Sequence, residues 1–525
     1  MRHLKTMNGG ALLATVMAFA QPASADVTPG YNNEIPETIL TPDTVETRIG
    51  TLQFFDGSPA DETVALVYDN LDFMRGVQTF LNGMPASSIE GLRRGNVELG
   101  ATESHHVVIF DDLMDSDPIF LTGNTDTVYA AAFLDLNADG PTVVEVPEGS
   151  GPGTVNDAFF RFVIDMGAPG PDQGNGGKYL ILPPEYDGPL QAPIGGLEQD
   201  VEVNGTTEKM FVTRSPSYVN WLILRGFLVD GKPDAASVMF RNGLKIYPLS
   251  EAGDPPDMQF FNGSEKPFNT IHANNFEFFH ELDEVIQREP IGFLDPELRG
   301  LFASIGIEKG QEFDPDERMR KLLQDAVAVG NATARAIWIR SREEGTYYYE
   351  GSGWYTGFVG GSHEFLKNDG AGGRYLDARI LFHYMATVIT PAMVVPMVGA
   401  GSQYALINVD ETGAYMDGAK TYKLNIPADV PAKDFWSVVA YDPQTRSQLQ
   451  TSQPFPGRNN QRHDMDVNPD GSIDLYFGPE APEGKDANWI QTVPGKGWFT
   501  ALRLYGPLEP WFDRTWRPGE IQLVD

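Results

Sequence analysis

In the stretch PADETVALVYDNLDFMRGVQTFLNGM, apolar positions recur at steps of three and four residues. That spacing lays apolar side chains along one side of a helix, so it predicts one or two helices after a polar, proline-containing lead over residues 26–47. From about His105 the pattern changes to short apolar runs separated by Gly and Pro turns: HHVVIF, TVYAAAFLDL, TVVEVP, FFRFVIDM and KYLILPP. Such runs predict strands of a β-sandwich or barrel rather than alternating β–α units. Helical spacing returns in NNFEFFHELDEVIQREP, with Asn275 as a cap and a stop at Pro290. It continues in DPDERMRKLLQDAVAVGNATARAIWIRSREE, where Asp314, Pro315 and Asp316 suit a helix N-terminus. Strands resume from YMDGAKTYKLNIPADVPAKDFWSVVAYD to the end. The expected class is mainly β with a helical middle: an N-terminal helical lead (26–104), a first β-sandwich domain (105–266), a helical connector (267–355) and a second β-sandwich domain (356–525). The sequence shows no fixed-period repeat.

Residues 1–25 change the picture of compartment. Arg2 and Lys5 precede a ten-residue apolar core, and Ala23, Ser24 and Ala25 form a small-residue cleavage site, so a secretory signal is expected and the mature chain is periplasmic or secreted. Its removal takes away two positive charges and no acidic ones, turning a net charge of −35 into −37. An acidic surface of that size repels phosphate backbones, which argues against a nucleic-acid partner. The chain has no cysteine, so disulfides, thiolate metal sites and a cysteine nucleophile are excluded. Residues 380–409 carry no Asp, Glu, Lys or Arg, yet Pro391, Pro396, Gly399 and Gly401 interrupt them, so a buried helix-to-strand passage is expected instead of stable membrane insertion.

Candidate chemistry is sparse. GxSxG, a P-loop and a Rossmann fingerprint are all missing. His105 and His106 are adjacent, and on a strand they face opposite sides and do not share an ion in the usual way. DMDVNPDGSIDLYFG sets Asp466, Asn468, Asp470 and Asp474 around Gly471, the alternation of oxygen ligands that calcium takes; the same residues also suit a hairpin turn. DLNADGP offers a weaker version with Asp135, Asn137 and Asp139. In YDPQTRSQLQTSQPFPGRNNQRH, Arg446, Gln448 and Gln450 alternate as one face of a strand would, either to recognise an anion or sugar hydroxyl or to knit a domain interface. In LTGNTDTVYAAAFLDL, the polar cluster Asn124–Thr127 abuts a strand that reads as buried. It is either an Asx-type turn or the floor of a pocket built by Asp126, Asn124 and Tyr129 and closed by Arg446 and Gln450.

Three blocks, LTGNTDTVY, GPDQGNGGKYLILPPEYDG and LKIYPLSEA, resemble domain-of-unknown-function family 1254. FWSVVAYDPQTRSQLQT, DGSIDLYFGP and NWIQTVPGKGWFTALRLYGPLEPWFDRTWRPGEI resemble family 1214. The chain is therefore similar to secreted two-part proteins joining the two. The resemblance implies two jelly-roll-like antiparallel β-sandwich domains joined by a helical connector, and it carries over no catalytic residue. The functional expectation is a hydrolase or lyase acting on a small polar or carbohydrate-like substrate between the β domains. In it Asp126 is the acid/base, Arg446 the anion stabiliser, and His463 or Asp442 a second proton carrier. The alternatives are a ligand-binding protein without turnover and a structural envelope protein.

Overall fold

The computed structural model describes residues 35–524; the expected leader, residues 1–25, lies outside the described residues. The chain divides into two compact units, Met1–Met74 and Arg75–Asp525. In the first, Thr44–Thr47, Gly50–Phe55 and Ser58–Pro59 form a three-stranded antiparallel sheet where the sequence had suggested a polar lead to residue 47 and then helix. These strands are mostly exposed, so they carry little of the apolar alternation from which strands are read.

The stretch with helical spacing is a single helix, Asp61–Glu98, running through Pro85. In the second unit it buries Phe80, Met84 and Ile89. Gly91 and Gly95, one turn apart, let the chain at 269–272 pass close to the helix: a Cβ at Gly91 would lie 2.8 Å from the Thr270 carbonyl oxygen, and one at Gly95 2.6 Å from that of Asn269. Helices Glu277–Arg288, Pro296–Ala303 and Glu317–Ile339 make the helical middle. Asn275 Oδ1 accepts the Glu277 N–H at 3.0 Å, and Asp316 caps the last of these helices by accepting the Met319 N–H at 2.7 Å. Helix accounts for 26% of the described residues and strand for 28%, so the fold is mixed α and β instead of mainly β.

Among the described residues the second unit holds four further sheets. A five-stranded sheet (Leu197–Val203, Thr206–Arg214, Gly177–Leu182, Thr142–Val146, Lys245–Pro248) and a six-stranded sheet (Gln259–Asn262, His106–Ile109, Val128–Asp135, Val219–Gly226, Pro152–Asp157, Phe162–Gly167) contribute to one core. Val128, Ala130, Ala132 and Leu134 enter that core. Tyr129 and Ala131 alternate to the opposite face and join a second cluster with Trp221 and Ile223. Burial on both faces explains why this strand reads as a continuous apolar run. Towards the C-terminus, the strands Ser402–Ile407, Phe499–Pro507, Ala432–Tyr441 and Gly457–Asn459 form one four-stranded sheet. Trp489–Gln491, Ile473–Gly478, Tyr422–Ile426 and Ile521–Leu523 form another, and both share a core with the helices. The charge-free segment becomes helix Leu376–Met385, a short helix Pro391–Val394 and the first of these strands. Among the described residues no helix is long and apolar enough to cross a membrane.

Candidate functional site

Strand register assembles two polar rows. On Val219–Gly226, Leu222 and Leu224 point into the core between the sheets, so Trp221, Ile223 and Arg225 take the other face. Arg225 pairs across the ladder with Tyr129, and Thr154 pairs with both Ile223 and Asp165. Tyr129, Thr154, Asp165 and Arg225 thus share the outer face of the six-stranded sheet. In the C-terminal region the pairs Tyr404–Arg503, Arg503–Ser437 and Ser437–Asn459 run as one row across all four strands.

A cavity of about 150 Å³ lies between these rows, with Asp165, Arg225, Thr154 and Thr390 on one side and Tyr404 and Tyr505 on the other. Met393, Met397 and Phe227 add an apolar wall. An adjoining cavity of about 60 Å³ shares Arg225, Met393 and Tyr404 and adds Arg503. Together they give an apolar volume with a few convergent polar groups, the composition of small-molecule sites.

The electrostatics are unbalanced. The Arg225 guanidinium sits 5.5 Å from the Tyr129 ring centroid, and it has no carboxylate ion pair among the described residues. Asp165 is 8% exposed and its Oδ1 has no hydrogen-bond partner. Burial pushes its pKa up to about 7; the nearby Thr154 and Thr390 hydroxyls, the Ala392 N–H and the Arg225 charge only partly oppose this. Arg503 is buried, donating from Nη2 to the Thr122 carbonyl (2.5 Å) and the Tyr441 hydroxyl (2.8 Å), with Nε unpartnered.

The Asn124–Thr127 cluster is both a turn and a wall. Asn124 Oδ1 accepts the Asp126 and Thr127 N–H groups at 2.8 and 3.1 Å, an Asx-type arrangement. Its Nδ2 donates to the Tyr129 hydroxyl at 2.6 Å, and Asn124 and Thr127 line the cavity. Asp126 is fully buried behind them. Its Oδ2 accepts from Ser437 Oγ (2.5 Å) and Tyr505 Oη (3.2 Å), and its Oδ1 from Asn459 Nδ2 (2.8 Å) and Thr125 Oγ1 (3.2 Å). Asp126 therefore ties the two β regions together and positions Tyr505 at the cavity.

Other residues singled out in the sequence sit elsewhere. Arg446 has φ 61°, in a left-handed turn instead of a strand, so the expected alternation with Gln448 and Gln450 does not arise. Its Nε donates to the Tyr384 carbonyl (3.0 Å) and Nη1 to the Gln444 carbonyl (2.6 Å), and it lines neither cavity. Gln448 and Gln450 donate to the Met114 and Ser116 carbonyls, which is interface knitting. Asp442 pairs with Lys496 at 2.5 Å. His463 Nδ1 accepts the Asn459 N–H at 3.1 Å, so it reaches Asp126 only through Asn459. Burial, then Arg458, lowers its pKa.

The calcium-like alternation is closed by protein partners. Asp470 Oδ1 accepts the Ser472 N–H (3.0 Å) and hydroxyl (2.7 Å), Asp474 Oδ1 accepts from Asn425 (2.8 Å), and Asn468 Nδ2 donates to Ser472. The Asp466 backbone N–H binds Asn488. In the second such stretch Asp135 caps a helical turn at Leu136–Asp139. Among the described residues, only Glu103, His105 and His106 bring three His or carboxylate ligand atoms within 4.8 Å of one another. The expectation that the two histidines point apart fails because only His106 is in the strand; the rings are 4.6 Å apart. His106 Nδ1 already accepts the Thr102 N–H at 3.1 Å.

Asp165 and Arg225 were not singled out from the sequence. The signal was present: each is a charged residue inside an otherwise apolar strand, FVIDM and NWLILRG, where a buried charge demands a partner or a role.

Comparison with known proteins bears on the two β regions. Residues 105–248 match the family described as Protein of unknown function (DUF1254), and residues 401–509 match Protein of unknown function (DUF1214). No curated protein matches the sequence. Among solved structures, the VPA0106 protein from Vibrio parahaemolyticus is similar at 17% identity and a TM-score of 0.51, covering 86% of this chain and 100% of that one. An uncharacterized protein from Burkholderia cenocepacia aligns at 12% identity and a TM-score of 0.36, over 87% of this chain and 96% of that one. The first likeness concerns fold alone. The cavity thus lies between a DUF1254 region and a DUF1214 region, and the chain is a protein of the arrangement in which DUF1254 precedes DUF1214.

Proposed function

We propose that this is an exported, periplasmic or secreted protein whose cavity binds a small molecule with an acidic head and an apolar body. Asp165 exchanges a proton with that molecule, as a lyase or hydrolase would require. One observation carries the reading: an Arg225 guanidinium without an ion pair among the described residues shares a cavity with the Asp165 carboxyl, whose pKa burial pushes up to about 7. A guanidinium in such a place supplies two parallel donors to a carboxylate. A proton carrier with a pKa near the working pH is suited to general acid–base chemistry. A cavity of about 150 Å³ takes a benzene-sized body. The paired sheets on either side are read as two β-sandwiches of jelly-roll type, their outer faces meeting at the site.

Carbohydrate recognition draws less support, since Trp498, Trp511 and Trp516 are buried in packing. Ligand capture without turnover is the second reading. It is favoured by the hydrogen bonds that hold Asp126 and by the placement of His463 behind Asn459, which leave the exposed Asp434 as the one further carboxyl lining the cavity and no histidine among the described lining residues. Calorimetric titration with benzoate, a benzene-sized carboxylate, tests the binding claim. Wild type should bind and Arg225→Gln should lose at least about tenfold in affinity, about 1.4 kcal/mol. Equal binding by both proteins would refute it.

A further inference from the structure

Helix Leu376–Met385 presents Phe382 and Met385 to the smaller of the cavities described above, and Arg379 and His383, on another face, to a separate cavity of about 330 Å³. Arg161, Arg374 and His363 also line this second cavity. Three guanidinium groups converge there in a chain whose net charge is −35. We propose that it is a binding site for a small phosphate-class oxyanion.

Two groups each carry one buried nitrogen without a hydrogen-bond partner. His383 is 4% exposed, is stacked on Phe160 at 5.6 Å between ring centroids, and has no partner at Nδ1. Arg379 donates from Nη2 to Asn82 Oδ1 at 2.5 Å and has an unpartnered Nε. A buried donor without an acceptor is costly, and such groups concentrate where a ligand completes the hydrogen bonding. The cations also repel one another. Burial, then Arg374, lowers the Arg379 pKa to about 10, and burial, then Arg379 and Arg374, lowers that of His383 to about 3. His383 is therefore neutral at physiological pH, with one N–H to donate.

The acidic groups leave Arg374 and Arg379 without an ion pair: Asp157, outside the cavity lining, neutralises Arg161, and Asp295 only partly opposes the effects that lower the Arg379 pKa. Asp157 takes Arg161 at 2.5 Å, Asp295 Oδ1 caps a helix by accepting the Leu298 N–H at 3.0 Å, and Glu364 is exposed. Arg374 Nη1 donates to the Glu364 backbone carbonyl at 2.5 Å, and neither Arg374 nor Arg379 has a carboxylate ion pair among the described residues. Donors come from two stretches, the turn before the helix and the helix face. That spread suits a tetrahedral anion with several acceptor oxygens better than a planar carboxylate, which one guanidinium satisfies.

The test is calorimetric titration of the full chain with inorganic phosphate at low ionic strength, with glycerol 3-phosphate and acetate in parallel arms. Wild type should bind phosphate or its ester, with acetate at least about tenfold weaker. The free anion binding more tightly would identify it as the ligand, and the ester binding more tightly would identify a phosphate monoester. Arg374→Gln, at an exposed position that leaves folding intact, and Arg379→Gln should each weaken binding about tenfold or more, while benzoate binding at the first cavity stays unchanged in Arg374→Gln. Absence of binding to wild type at millimolar concentrations of both phosphates, or binding unaltered in Arg374→Gln, would overturn the proposal without touching the first cavity.

Discussion

Replacing Asp165 by Asn removes a carboxyl that burial holds at about 7 against an ordinary value of 3.8. Between those values the native chain keeps a proton that the unfolded chain has released. The carboxyl therefore contributes its full stability below about pH 4, and that contribution is lost as pH rises to about 7. The interval corresponds to about 4 kcal/mol at ~1.4 kcal/mol per pH unit. Solvation from the cavity and local relaxation reduce this, so about 2–4 kcal/mol is expected. Asparagine keeps the shape and neutrality of the protonated acid. Urea unfolding followed by tryptophan fluorescence from pH 4 to 9 should show wild type and Asp165→Asn nearly equal near pH 4. The gap should widen in favour of the variant up to pH 7 and stay constant above it. Glu281, raised to about 8, and Glu289, raised to about 7, both chiefly by burial, slope the same way in both proteins and cancel in the comparison. A gap independent of pH, or a variant less stable at pH 8.5, would refute the reasoning.

The two buried arginines should separate cleanly. Arg446→Met should lower stability by roughly 2–4 kcal/mol, through lost hydrogen bonds and packing on Tyr384, and leave benzoate affinity unchanged by calorimetry. Ser437→Ala removes the shortest hydrogen bond to the buried Asp126 carboxylate and should cost about 1–3 kcal/mol in urea unfolding, with Ser437→Thr recovering part of it. Calcium chelation should leave the thermal midpoint unmoved, because Asp470 and Asp474 are each held by protein donors; a calcium-dependent rise abolished by Asp474→Asn would contradict that.

Much of the fold was legible because long segments carried one clear period. The Asp61–Glu98 and Glu317–Ile339 helices and the strand starting at Val128 follow from spacing and caps. The small sheet at 44–59 was missed because exposed strands do not alternate, and the near parity of helix and strand was missed because helices such as Asp234–Gly243 lie inside regions read as strands and turns. At the site, Asn124 was legible from its place before a buried strand. Arg446 misled because its alternation with two glutamines presumed a strand, whereas the turn from Asp442, with Arg446 in the left-handed region, breaks that register. Asp165 and Arg225 come together only through pairing of Pro152–Asp157 with both neighbouring strands, a long-range fact that no local window contains.

The central claim is that Arg225 and Asp165 hold a small acidic molecule between the DUF1254 and DUF1214 regions. Mass spectrometry of small molecules released from the purified native protein, compared with those released from folded Arg225→Gln, tests it most directly. An acidic molecule of about ten heavy atoms or fewer, the size a cavity of about 150 Å³ admits, should be retained by wild type and absent from the variant. The same molecule released equally from both proteins, or nothing released from wild type, would contradict the account.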